Sequence, residues 1–330
     1  MTSLAHTTDD ARWMGEALAL AERSRGQTAP NPNVGCVIVA TGDRVVGRGW
    51  TQPGGRPHAE AMALAEAGEA ARGATLYVTL EPCAHVSPRG PACADLIVAA
   101  QPARVVVALT DPDPRTNGLG IDRLRAAGIV VEEGVCTDDA RRSMAGFLTR
   151  LRLGRPHVTL KLATSLDGRI ALPSGESRWI TGPEARADVH RERARHEAIL
   201  VGRGTYDADA PRLDVRLPGL EHLSPRRLLL TRGPAPEGWE ALQDLAELGA
   251  LTGVDHLLVE GGAGAAAAFL AADLVDRLLF HRAPILIGAG KSAVGDIGLT
   301  SLEAAHGRWK LHESRSLGSD RLEVYERERD

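Results

Sequence analysis

The stretch ATLYVTLEPCAHVSPRGPAC, residues 74–93, changes character halfway along. Its first seven residues are aliphatic, aromatic or β-branched, the composition of a strand. Pro82 then breaks the pattern, a Pro/Gly-rich loop follows, and an apolar run near 92–100 reads as a helix. Strand, loop and helix in that order are the repeating unit of an α/β layer, whose ligand crevices gather where strands end and helices begin. Two cysteines, Cys83 and Cys93, frame the loop. Upstream, RPHAEAMALAEAG (56–68) sets His58 and Glu60 ahead of another apolar helix. An acid at a helix start suits the helix dipole, so end decoration is one account of Glu60.

A lone histidine or cysteine is more often structural than catalytic; the arrangement carries the signal. His58, Cys83 and Cys93 offer one imidazole and two thiolates, one ligand short of the closed set of a structural zinc. The open position suits water, whose pKa falls to about 7 on zinc. Glu60 can carry a proton from that water to a leaving amine, and a purely structural metal has no use for it.

Bulk properties set the frame. A chain of 330 residues points to two domains. A net charge of −4 and 3% aromatic residues give no footprint for nucleic acid. The longest apolar runs fall far short of the roughly 20 residues that span a bilayer. The start, MTSLAHTTDDAR, lacks a basic segment followed by an apolar core, so no signal peptide and a cytoplasmic address are expected. Four cysteines then imply burial, metal or catalysis, not disulfides; Cys36 and Cys136 read as core or incidental.

Helix and strand patterns alternate throughout. The first part reads as a helix from Asp9 or Asp10 to Arg25, strands at 34–40 and 44–50, the helix within 56–68, strand 74–80 and helix 92–100. Strand 104–110, helix 119–127, strand 129–134 and helix 137–151 complete it. RLGRP (152–156) marks a boundary, giving domains 1–151 and 157–330. The second part reads as strand 157–165, helix 183–195, strand 197–202, a polar loop, strand 226–231 and a short helix. VDHLLVEGG then leads into helix 262–272, with strands near 277–287, 308–314 and 321–326. Two glycine-rich joints stay open. DPDPRTNGLG (111–120) is either a phosphate site built of backbone N–H groups or a solvated loop. VEGGAGAAAAFL (259–270) is either a packing and capping device or a phosphate cradle, and it lacks the Rossmann pattern.

H-x-E followed by Pro-Cys and a second Cys resembles the zinc-dependent cytidine-deaminase-like enzymes. PNPNVGCVIV (30–39), HAE (58–60), TLEPCAH (79–85) and DPDPRTNGLG resemble one branch, the RibD family of riboflavin-biosynthesis deaminase–reductases. KLATSLDGRIA (161–171), GESRWITG (175–182) and GTYDADAPRLDVR (204–216) resemble that family's reductase domain, so the resemblance spans essentially the whole chain. It implies an α/β chain with a three-layer cytidine-deaminase-like domain on a mixed sheet, then a dihydrofolate-reductase-like α/β domain. The implied activities are zinc-dependent hydrolytic deamination of 2,5-diamino-6-(5-phosphoribosylamino)pyrimidin-4-one, then NADPH-dependent reduction of the ribosyl group to ribityl. Dimers or tetramers are implied as well.

Residue by residue, the resemblance assigns Asn33 to the pyrimidine, unless it is a plain turn residue, with His85 or Arg89 as the further loop contact. Ala163, Trp179, Thr205, Asp209, Gly262, Ala263, Gly264, Ala265, Ala266, Ala267 and Ala268 would line the NADPH site. Ser177, Arg193, Leu213, Arg216 and Glu260 would face the phosphoribosyl substrate, where arginine forks suit phosphate. Lys161 and Asp209 are the groups for proton handling. Three departures stand out: a C-x9-C spacing one residue longer than usual, Asp209-Ala210 where the family has a double acid, and Tyr206 for a small apolar residue. The stretch between Thr231 and Val254 is also short, with room for one short helix. A deaminase whose reductase-like half is impaired or serves assembly is therefore an alternative. A nucleoside or nucleic-acid deaminase and a non-catalytic zinc module are further ones.

Overall fold

Short strands with buried apolar runs, several of them followed by a helix, build both halves of the chain. The computed structural model describes residues 8–85 and 87–329. It falls into two units, Met1–Leu153 and Gly154–Asp330.

In the first unit, α1 (Thr8–Ala21) precedes a hairpin of β1 (Gly35–Ala40) and β2 (Arg44–Trp50). Gly42 (φ 73°) and Asp43 (φ 57°) supply the left-handed residues that a tight hairpin needs. Then come α2 (Ala59–Ala67), β3 (Thr75–Val78), α3 (Cys93–Ala100), β4 (Arg104–Val107), α4 (Leu119–Ala126) and β5 (Val130–Glu133). The helices α5 (Thr137–Ser143) and α6 (Ala145–Leu153) close the unit. The sheet order is β2-β1-β3-β4-β5, antiparallel on both sides of β1 and parallel from β3 to β5.

Both faces of this sheet are covered, and the glycines show how. A Cβ on Gly35 would stand 1.8 Å from the Ala17 carbonyl oxygen of α1. A Cβ on Gly49, whose partner in the register is the next residue, Cys36, would stand 2.0 Å from the Ala59 carbonyl oxygen of α2. Neighbours along a strand point to opposite faces, so α1 and α2 lie on opposite sides. With α3 against α2, α4 against α3 and α5 against α1, the unit has three layers. Because β2, β3 and β4 run the same way, the starts of α2, α3 and α4 gather at one sheet edge.

The second unit contains β6 (His157–Thr164), β7 (Arg169–Ala171), α7 (Pro183–Arg193), β8 (Ala198–Gly202), α8 (Arg203–Asp209), β9 (Arg226–Leu230) and β10 (Glu240–Leu242). It continues with β11 (His256–Val259), α9 (Ala263–Ala271), β12 (Arg277–Arg282), β13 (Lys291–Ser292), β14 (Trp309–Leu317) and β15 (Asp320–Arg327). Its main sheet has the order β10-β9-β8-β11-β6-β12-β15-β14, parallel from β10 to β12, with β15 antiparallel to both of its neighbours. Apart from His256, β8 and β11 are apolar, and both are almost wholly buried, as strands covered on both faces must be.

Local differences from the sequence reading have physical causes. The helix expected over 137–151 breaks at Met144, whose side chain is buried in the core. Part of the polar loop after β8 is the helix α8. The short stretch 231–254 keeps a strand, β10, followed by a 3-10 turn at Leu245–Ala250, where only a short helix was expected. Leu242 and Leu248 are buried and anchor it. A three-residue edge strand takes its identity from pairing with β9, which no local pattern reveals. Among the described residues no helix is long and apolar enough to cross a membrane.

Candidate active sites

The first site sits where α2 and α3 begin. His58 precedes α2 in extended backbone, Cys83 follows β3, and Cys93 is the first residue of α3. The Nδ1 of His58 lies 3.6 Å from the Cys83 sulfur and 3.3 Å from the Cys93 sulfur. All three ligand atoms fall within 4.8 Å of one another. Tetrahedral zinc, with bonds of about 2.3 Å to sulfur and about 2 Å to nitrogen, sets N···S edges of about 3.5 Å. The residues present therefore fit the metal. The Cys93 N–H also donates to the Cys83 sulfur at 3.3 Å, and the Ala94 N–H to the Cys83 carbonyl at 3.2 Å, tying loop to helix.

The hydrogen bond with Cys93 draws the Cys83 thiol below its ordinary range, helped by His58 and opposed by burial. The same bond, together with burial, pushes Cys93 up. Glu60 is 3% exposed, and burial raises its carboxyl to about 7 against the pull of His58.

Around this centre, His85 Nδ1 lies 3.5 Å from Thr116 Oγ1. Arg89 donates to the Gly54 carbonyl at 3.2 Å from an exposed position. Asn33 is buried and spends its amide N–H groups on the Ala21 carbonyl and Ser143 Oγ. Asn31, two residues earlier and only partly buried, donates to the Gly55 carbonyl at 2.7 Å, in the loop that leads to His58. Cys36 is buried in β1, and Cys136 is half-buried.

The second unit holds a cavity of about 700 Å³. Lys161, Ala163, Ser177, Trp179, Arg193, Thr205, Asp209, Leu213, Arg216 and Glu260 all line it, as do Gly262, Ala263, Gly264 and Ala265. Ala266, Ala267 and Ala268 do not. They belong to the next turn of α9, and Ala266 and Ala267 are buried, so only the helix start reaches the cavity.

Glu260 follows β11 and is gripped by Arg193 at 2.7 and 2.9 Å, with Lys161 Nζ 3.8 Å away. Burial opposes its charge, yet Arg193 and Lys161 hold Glu260 down at about 2. Burial also lowers the Lys161 ammonium, while Glu260 works the other way. Asp209 ends α8, its carbonyl accepting from Arg178 at 2.9 Å. Trp179 is 65% exposed, with the Arg186 guanidinium 4.9 Å from its ring centre.

The start of α9 has no side-chain cap. Gly262 donates its own N–H to Thr205 Oγ1 at 2.9 Å, and a Cβ on Gly261 would stand 2.5 Å from that of Ala265. Side-chain-free backbone at an uncapped helix start is a place for anionic groups, so these residues fit the phosphates of a nucleotide cofactor. His190 and Arg186 also line the cavity. Their spacing from Arg193 along one face of α7 was the available signal for them.

Comparison with known proteins places both halves. The cytidine and deoxycytidylate deaminase zinc-binding region matches residues 7–109, and the RibD C-terminal domain matches residues 156–237 and 239–322. The riboflavin biosynthesis protein RibD of Escherichia coli (strain K12) is 40% identical over 94% of this chain and 97% of its own. That of Aquifex aeolicus (strain VF5) is 40% identical over 89% and 92%. The structure of Acinetobacter baumannii RibD superposes with a TM-score of 0.85 at 39% identity, covering 97% of this chain and 99% of that one. A Thermotoga maritima diaminohydroxyphosphoribosylaminopyrimidine deaminase/5-amino-6-(5-phosphoribosylamino)uracil reductase also gives 0.85, at 31% identity over 96% and 98%. The two α/β units are thus a deaminase unit with a zinc-binding region and a RibD-type, dihydrofolate-reductase-like unit, and the chain belongs to the RibD family of riboflavin biosynthesis proteins.

Proposed function

We propose that this chain carries out two successive steps of riboflavin biosynthesis. The first unit hydrolyses the 2-amino group of 2,5-diamino-6-(5-phosphoribosylamino)pyrimidin-4-one. The second reduces the ribosyl group of 5-amino-6-(5-phosphoribosylamino)uracil to ribityl with NADPH. The observation that carries the proposal is the buried Glu60 beside the His58, Cys83 and Cys93 cluster, in a chain matching RibD along almost its whole length.

His58, Cys83 and Cys93 would hold zinc, their two thiolates balancing its charge. Zinc, when bound, supplies a Lewis acid that brings water toward ionisation near neutral pH. Glu60, with its carboxyl near 7, takes a proton from the attacking water and gives it to the departing amine. Asn31 is better placed than Asn33 to meet the pyrimidine, because the Asn33 N–H groups are spent inside the protein. His85 is likewise better placed than Arg89, whose guanidinium donates to the Gly54 carbonyl.

In the second unit the open start of α9 would take the cofactor's phosphates, beside Thr205. NADPH, when bound, supplies the hydride. Arg216 and Ser177 face the cavity for the phosphoribosyl group, and the Arg193 grip holds Glu260 charged beside them. Lys161, with Glu260 at 3.8 Å, and Asp209, with Arg178 at 3.7 Å, both line the cavity as the groups for proton handling. A homo-oligomer and a cytoplasmic address complete the proposal, the former read by light scattering. A coupled assay with the diaminopyrimidine phosphate, following ammonia and NADPH absorbance separately, tests both steps. Ammonia release without NADPH oxidation would leave a deaminase with an idle second unit.

A further inference from the structure

Glu81 stands two residues before Cys83 and is 3% exposed. Its Oε2 accepts the backbone N–H of Asp111 at 3.1 Å and of Gly118 at 3.0 Å. Its Oε1 accepts those of Gly120 at 2.9 Å and Ile121 at 3.2 Å. An ionised carboxylate has about four acceptor positions, and these four amides fill them. The DPDPRTNGLG joint is therefore not open to a phosphate. Its backbone donors already hold an anion, supplied by the chain itself.

The clamp joins two parts of the deaminase unit. One end is the segment after β3 that delivers Cys83. The other is the loop 111–118 and the first turn of α4. That loop places Thr116 against His85, at 3.5 Å, and brings Asp113 and Asp111 close enough to act electrostatically on His85 and Cys83. The fit leaves no slack, because a Cβ on Gly120 would stand 2.0 Å from the Pro82 carbonyl oxygen.

We infer that Glu81 is a positioning residue for the deamination. Through four backbone amides it sets the loop 111–118 against His85, and so fixes the wall that holds the pyrimidine beside the metal cluster. The inference rests on the deaminase activity proposed above. A glutamine at this position keeps one oxygen but turns an NH2 group toward N–H donors, so part of the loop loses its acceptor.

The test uses the 330-residue, zinc-loaded chain and the variants Glu81→Gln and Gly120→Ala. The first removes the charge, and the second forces the loop away from Pro82. Both are expected to raise KM for the diaminopyrimidine phosphate by about tenfold or more, with a smaller change in kcat. Zinc content and NADPH-dependent turnover of the deaminated substrate should stay at wild-type levels. Hydrogen exchange should quicken at 111–121 while β3 and β4 stay protected.

Unchanged KM and kcat, with only a lowered unfolding temperature, would show a merely structural role and overturn the inference. Loss of zinc in step with activity would overturn it too, because Glu81 would then act on the metal cluster. Protected amides at 111–121 in Glu81→Gln would overturn it without any assay. A wild-type chain lacking zinc-dependent deamination would instead overturn the activity, and the inference with it.

Discussion

The backbone N–H of Cys93 points at the sulfur of Cys83, 3.3 Å away, so the first turn of α3 supports one candidate zinc ligand while supplying another. Cys93→Ser is expected to cut bound zinc well below one per chain and to abolish ammonia release. NADPH oxidation on the deaminated substrate should survive, because that cavity is lined by residues of the second unit. Metal analysis by mass spectrometry alongside the two assays checks this; full zinc occupancy in the variant would remove Cys93 from the ligand set.

Glu60→Gln separates holding the metal from moving the proton. The side chain keeps its size but loses the ionisable group that burial raises to about 7. Deamination kcat is expected to fall by roughly 10²- to 10⁴-fold with zinc content unchanged. Turnover close to wild type would mean that another group carries the proton.

The grip of Arg193 on Glu260 makes a pH prediction for the second unit. Glu260 titrates near 2 in the folded chain against an ordinary value of 4.5. A depressed carboxyl contributes stability that is fully present above the unfolded value and is lost as pH falls through the folded one. The contribution is on the order of 3 kcal/mol and disappears between about pH 4.5 and pH 2. Hydrogen exchange of β6, β8 and β11 in this window should quicken more in the wild type than in Glu260→Gln, which lacks the titrating group. Parallel acid profiles would show that Glu260 is not the group responsible.

Backbone approach at the start of α9 gives a cofactor prediction. A methyl group on Gly261 would meet Ala265 at 2.5 Å and displace the joint, including the Gly262 bond to Thr205. Gly261→Ala is expected to raise the NADPH Kd about tenfold, the effect of losing roughly 1.4 kcal/mol. Deamination should be untouched. Unchanged cofactor binding by calorimetry would place the nucleotide elsewhere in the cavity.

Much of the fold was legible because it rests on short-range signals. The run ATLYVTL and the alternating HVTLKLATS needed only composition and period to be read as strands, and β3 and β6 fall within them. The same signals misled where neighbours decide. Met144 breaks a continuous helical pattern, and β10 exists through its pairing with β9. Asn31 and Asn33 look alike in PNPNVG, yet burial spends one amide inside the protein and leaves the other beside the loop to His58.

By itself, then, the sequence determined the ligand chemistry: an imidazole, two thiols and an acid at helix starts, in a chain of alternating strands and helices. Those choices are local, since residue type fixes what a group can donate, accept or bind. The tertiary structure decided what each group is free to do. It closed the DPDPRTNGLG amides on Glu81, opened the first turn of α9 to a cavity, and buried Glu60 until its carboxyl titrates near neutrality. Hydrogen-bond partners and desolvation come from residues distant in sequence, and only the packed chain brings them together.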